Sequence, residues 1–398
     1  MKKVETKEKP FLDEQTIYEF MELINNNEMF INRSDLLLLY NLICTFKDRM
    51  FSAVDYLNKH CNCPTTEEDF VVFLVYACMV YDGFNKMHEN LLHQVPPYKG
   101  KKEYFKDVKY YEEYYFNDDT CPTDDVFLEY LRAMVFAHPY EVAKRGRPFM
   151  EDKEKHYCPW VNSRTSFDNI KDSVGIRTYT NRDQNEIIDL TFSFKSLKGY
   201  IKSIYDTFPT LIKWAKDVIS GQNAEWKLTK VNRQQDAVSV LKEIKGVLEQ
   251  RYKDTYSIDD ALSYLTCQLT IQSNIENVEK FRKAIESKIP SLCDSVDELD
   301  YEKMADALAI LYETPKVMHQ MAHYQLEKIY SYLDERSDSI DHASNEYWGL
   351  RQAYNFSQEF AKNWVTIDVR TMQYDEIKLL VAAACYLEKE KQDKAKEQ

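Results

Sequence analysis

The sequence predicts a mainly α protein: a helical bundle carrying a small β-hairpin, followed by a second all-α domain. Three observations carry this. Glycine and proline are scarce, 8 and 11 in 398 residues, while Lys, Glu, Leu and Ala are plentiful. Apolar residues recur at helical spacing through most of the chain. Alternating or β-branched runs concentrate at 174–180 and 186–194, joined by Asn181-Arg182-Asp183-Gln184-Asn185, which reads as a hairpin.

Taken in order, residues 1–12 are charged and expected to fray. Ile17, Phe20, Met21 and Ile24 give 14–25 a helical stripe. Asn32-Arg33-Ser34-Asp35 offers a cap for a core helix running to about 59. Thr65-Thr66-Glu67-Glu68 is a helix-start signature, and the helix behind it should reach about 92. Its first half is an apolar block and its second brings in Asp82, Asn85, Lys86, His88 and Glu89, so one end lies in the core and the other faces something polar. Pro96-Pro97 breaks the pattern. The aromatics crowding 104–116 read as core at helical spacing. Thr123-Asp124-Asp125 caps the next helix, residues 140–172 read as a long irregular segment, and a helix over 195–219 is interrupted near Pro209.

Ser220-Gly221-Gln222-Asn223 is the expected boundary between domains 1–220 and 221–398. Helices are expected over about 231–251, 258–288, 300–312, 314–335, 342–363 and 373–392.

The net charge of −14 argues against a general nucleic-acid binder acting through its overall field. A local site is compatible with it: residues 141–205 carry +3, whereas 221–398 carry −8. Nine cysteines, odd in number and irregularly spaced, do not form a disulfide frame. With no apolar stretch behind the N-terminal lysines and no run of 18 apolar residues, a reduced, cytoplasmic protein without a membrane span is expected.

One stretch carries chemistry: Leu131-Arg132-Ala133-Met134-Val135-Phe136-Ala137-His138-Pro139. An arginine inside an apolar run must find an anion, either a carboxylate or a ligand. Pro139 disfavours the α region for the residue before it, so the helix should stop at Ala137 or His138. There the imidazole meets outward-pointing carbonyls, which favour its protonated form. A permanent cation beside a group that exchanges protons near neutrality suits metal-free phosphodiester cleavage. A second match to this spacing, Arg336 to His342, falls in a polar loop where neither residue needs a partner.

Arg132-x5-His138 on a helix resembles the Arg-x4-6-His motif of the HEPN superfamily, many members of which are metal-independent ribonucleases of defence and toxin systems. The resemblance covers about residues 36–220. Family members often carry a polar residue after the arginine, where this chain has Ala133. The resemblance implies that Arg132 binds the scissile phosphate and that His138 moves the proton as a ribose 2′-hydroxyl attacks, giving a cyclic phosphate. It also implies that Asp82 or Asn85 supports the pair from the neighbouring helix, that no cofactor or metal is needed, and that two subunits share a cleft as a homodimer. Arg145 and Arg147 in the following loop, with Arg177 and Arg182 on the hairpin, are the expected contacts to the RNA backbone.

Two other readings are open. In one, the protein is a non-catalytic helical adaptor or sensor binding a partner protein through its acidic C-terminal helices, and Arg132 is buried against Asp82 or Glu129. In the other, His319, His323 and Glu327 on one helix stripe hold a metal. His60, Cys61 and Cys63 with His156 and Cys158 are the right residue types for zinc, but one residue between ligands is unusual, and free cysteines are expected.

Overall fold

The computed structural model describes residues 10–162, 172–182, 186–334 and 342–396. The protein is mainly α with one antiparallel sheet. It groups into two compact units, Met1–Ser220 and Gly221–Gln398.

The first unit opens with α1 (Glu14–Asn25), the single turn α2 (Met29–Asn32), α3 (Ser34–Lys59) and α4 (Glu67–Met87). α4 starts where its sequence says. Thr66 Oγ1 accepts the Asp69 N–H at 3.2 Å, and Glu67, Glu68 and Asp69 lie against the positive helix end. Phe70, Phe73, Leu74, Ala77, Phe84 and Met87 are buried, and Phe84 meets Phe46 of α3 edge-on at 5.2 Å. The last turn widens into a π-helix, His88–Leu92, which ends at His93 with φ 51°. By length and composition Glu67–Leu92 is apolar enough to cross a membrane; here half of its apolar 18-residue core is buried within the protein.

The sequence shows a hairpin where the structure has a six-stranded sheet. The strands are β1 (Lys109–Tyr110), β2 (Glu113–Tyr114), β3 (Val142–Ala143), β4 (Lys155–Val161), β5 (Ser173–Thr180) and β6 (Ile187–Ser193), in the order β2-β1-β6-β5-β4-β3. The expected hairpin, β5–β6, is its centre. Two-residue strands carry no readable alternation, and in β4 the register shifts between Tyr157 and Trp160, around Pro159, which has no N–H to donate. Residues 104–116 therefore form a turn and the β1–β2 pair instead of a helix, and 140–172 contributes β3 and β4; residues 163–171 of that segment lie outside the described residues.

α5 (Asp124–Arg132) is fixed at its start by Asp124, 1% exposed, whose carboxylate accepts the N–H groups of Glu103, Tyr104 and Phe105 at 2.8, 2.9 and 3.1 Å. Thr123 makes no side-chain cap, so the expected capping run turns to a neighbouring loop. After β6 the chain enters α6 (Phe194–Tyr205) and α7 (Phe208–Trp226). The break falls at Asp206-Thr207, and Pro209 sits in the first turn of α7, where it needs no N–H partner.

In α6, a Cβ placed on Gly199 would lie 2.8 Å from Cε1 of Tyr104, a ring packed on Tyr200. Gly199→Ala is expected to destabilise the protein by about 1–2 kcal/mol in urea unfolding, because the clash outweighs the helix-propensity gain. A stabilised variant would show that the ring moves freely.

The second unit comprises α8 (Ala237–Gln250), α9 (Tyr256–Thr266), α10 (Ile275–Glu298), α11 (Tyr301–Leu308), α12 (Ala322–Tyr332), α13 (His342–Glu359) and α14 (Tyr374–Lys394). Ile377, Leu379, Leu380, Val381, Ala383 and Ala384 of α14 are fully buried, as in a helix enclosed on every side. The expected helix 258–288 is split. Glu376 accepts the Thr270 N–H at 2.7 Å, and Asn274 exchanges two bonds with the backbone of Thr366, so tertiary ties override local propensity. α12 begins only at Ala322, which leaves His319 outside it. Arg251, 2% exposed, donates to the carbonyls of Val296, Trp226 and Thr229 at 2.6, 2.9 and 3.2 Å; helix-end carbonyls can hold an arginine without a carboxylate.

Candidate active site

Arg132 closes α5, and the chain continues as a π-helix, Ala133–Ala137, ended by His138. His138 donates its N–H to the Ala133 carbonyl at 2.8 Å and leaves the helix with φ −144° and ψ 49°, the departure that Pro139 requires. Leu131, Met134 and Val135 form the buried face. Arg132 does not share it: its side chain is 36% exposed, because residues at i, i+3 and i+4 line one face and Arg132 falls beside it. The enclosed arginine of the sequence reading is thus a flank residue.

Its anion is Asp82 on α4. Arg132 Nη1 lies 3.1 and 3.0 Å from the two Asp82 carboxylate oxygens and 4.0 Å from Glu129. Nε and Nη2 have no hydrogen bond among the described residues. His138 is exposed, and its ring has no hydrogen bond or ion pair there either. Burial raises the Glu129 carboxyl above its ordinary range, opposed by the Arg132 charge. Asn85 lies elsewhere in function: its Oδ1 accepts from the Tyr98 hydroxyl at 3.0 Å, so of the two candidates only Asp82 touches Arg132.

The four arginines proposed to track a phosphate backbone are mostly engaged. Arg177 on β5 faces Asp189 on β6 in register, clamps it through Nε and Nη2 at 2.7 Å each, and stacks 4.5 Å from the Trp160 ring. Arg182 bonds Glu186 at 2.9 Å and lies 3.6 Å from Glu151. Arg147 is buried, donating to the Ala143 carbonyl. Arg145, exposed with φ 31°, has no ion pair among the described residues and is the one of the four left for an external anion.

The sequence reading missed a buried polar chain beside this helix. His156, fully buried, lies 2.8 Å from the Tyr130 hydroxyl through Nδ1 and 2.7 Å from Glu154 through Nε2, and Glu154 in turn accepts the Glu151 N–H. Burial holds the imidazole below its ordinary pKa, with Glu154 opposing. His88, 2% exposed, is lowered by burial as well. The unfolded chain therefore binds protons that the folded chain refuses just below the ordinary histidine value of about 6.5. The stability these two histidines contribute is complete above that value and declines as pH falls through it, so the urea midpoint is expected to be lower at pH 5.5 than at 7.5. An equal or higher midpoint would show that neither histidine is held neutral.

The metal readings fail on geometry. His156 is used by Tyr130 and Glu154, His60 stacks on Tyr56 at 3.9 Å, and the Cys63 thiol lies 3.6 Å from the Ser173 carbonyl. His319 precedes α12 and sits 3.5 Å from Glu359, off the stripe of His323 and Glu327. Among the described residues no group of three or more His, Cys, Asp or Glu is placed to hold a metal. All nine cysteines are free thiols. Arg336 lies outside the described residues.

Fold and site together define a mainly α protein with an antiparallel sheet, in which the half-exposed Arg132 and the exposed His138 flank a π-helix at the end of α5. No family model matches the chain, and no solved structure matches it. It is similar in part to the DNA replication and repair protein RecF of Clostridium botulinum strains Eklund 17B and Alaska E43, 24% identical to each over 153 residues. The alignment covers 38% of this chain, which spans 40% of the length of those relatives.

Proposed function

We propose that the protein is a HEPN-like, metal-independent endoribonuclease of defence or toxin type. The observation that carries this is the half-anchored guanidinium. Asp82 fixes one nitrogen of Arg132 and leaves Nε and Nη2 to take a phosphate, at the same helix end as an exposed histidine that has no ring hydrogen bond among the described residues. Arg132 binds the scissile phosphate and His138 transfers the proton of the attacking 2′-hydroxyl. Asp82 is a positioning residue and Arg145 contacts the backbone. The π-turn between the two side chains is a distortion often found at functional sites. A single pair is a sparse site, so two copies facing each other complete it. The test is incubation of single-stranded RNA with the full chain in EDTA: cleavage to cyclic phosphate ends is expected, and intact RNA under all conditions sinks the reading.

A second reading, a non-catalytic adaptor or sensor, has its own support. Asp82 and Glu129 together outweigh the charge of Arg132, and α13 exposes Tyr347, Trp348 and Tyr354, aromatics of the type that anchor protein interfaces. It predicts no RNA cleavage and a partner bound through the C-terminal helices.

A further inference from the structure

Directly after His138 the surface opens into a cavity of about 470 Å³. Its lining takes in Pro139 and Tyr140, Tyr157 of β4, Tyr179 of β5, and Glu67 at the start of α4. Tyr140 is 88% exposed and Tyr179 39%, so both side chains are within reach of a ligand. Glu67 is the one charged side chain in the lining, and among the described residues it has no hydrogen bond or ion pair. Cys158, also in the lining, is no nucleophile, since burial pushes its thiol up to about 12.

This composition selects its occupant. A phosphate would meet the Glu67 carboxylate and, among the described lining residues, no Lys or Arg side chain. A planar base can stack on the tyrosines. An ionised carboxylate only accepts, through two oxygens side by side. Among RNA bases, guanine alone offers two adjacent donors on its pairing edge, N1–H and the N2 amino group. Adenine and cytosine each put an acceptor beside their donor, and uracil has a single donor. Such edges are free only where RNA is unpaired.

We propose that this cavity seats an unpaired guanine, with Glu67 accepting its N1–H and N2–H and tyrosines stacking on its ring, so that the adjoining phosphate lies at the His138 end. This rests on the ribonuclease reading and adds its base preference. Continuity of the chain from His138 through Pro139 to Tyr140 links the two.

The test uses the full chain as His138→Ala, so that RNA is bound without being cut, and fluorescence anisotropy with short single-stranded oligomers carrying one guanosine, or inosine or adenosine in its place. Inosine lacks only the N2 amino group. Guanosine is expected to bind about tenfold more tightly than inosine, the loss of one charge-assisted bond. Glu67→Gln in the same background should erase that preference. Tyr140→Ala should weaken all three oligomers by about tenfold. Equal binding of guanosine and inosine oligomers overturns the pocket, as does Glu67→Gln with the preference intact. Preferential binding of an arginine-containing peptide, competing at Glu67, overturns it in favour of a protein partner. The ribonuclease reading is scored separately in the wild type: cleavage without base preference overturns only the pocket, and guanine-selective binding without cleavage supports the pocket while removing the catalytic role.

Discussion

Replacing His138 by alanine is expected to lower RNA cleavage by about 10²–10⁴-fold, the contribution of a positioned general acid or base. Among the described residues the exposed imidazole makes no hydrogen bond, so the urea midpoint should stay within the small range of a surface substitution. On the proposed ribonuclease mechanism, Arg132→Ala should lose about 10²–10³-fold, by removing the cation assigned to meet developing charge. Its cost in stability is small, because the pair with Asp82 is half-exposed and solvent-screened. Arg132→Lys should recover only part of the rate, since a point charge cannot hold Asp82 and a phosphate with separate nitrogens. Wild-type cleavage by His138→Ala with an unchanged fold would remove the residue from the mechanism.

Asp124→Ala is expected to cost about 3–5 kcal/mol, the largest single loss of stability foreseen outside the site. Three backbone N–H groups converge on that one buried carboxylate, and truncation takes the acceptor from all of them, the Phe105 N–H in a buried setting. Asp124→Asn keeps one accepting oxygen and should fall between alanine and wild type. The measurement is equilibrium unfolding in urea. A loss under 1 kcal/mol would mean that the 103–105 turn relaxes to find other partners.

How much of this was legible depends on distance along the chain. The start of α4 at Thr66 and the end of the π-turn at His138 were readable, because a cap and a proline act on backbone within a few residues. The hairpin β5–β6 was readable from alternation, whereas β1, β2 and β3 have two residues each and take their strand character from pairing alone. Helical spacing over 258–288 suggested one helix, and Glu376, 106 residues beyond Thr270, helps to break it.

For the candidate site the division is sharper. Arg132 and His138 were found by their spacing, and Asp82 by its place in the polar half of α4, since each signal is local. Sequence alone could not show that Arg132 lies on a flank, that Asn85 serves Tyr98, or that Arg177 is neutralised across the sheet by Asp189. It gave no hint that His156, Tyr130 and Glu154 form a buried chain, or that Glu67 joins three tyrosines around a cavity. The chain by itself determined the helical character, the helix ends fixed by a local cap or proline such as Thr66 and His138, and the residues with chemistry to offer, because those follow from propensity and near-neighbour geometry. The tertiary structure decided which charges are spent on one another and which remain for a ligand, because that depends on contacts between segments whose separation no local pattern encodes.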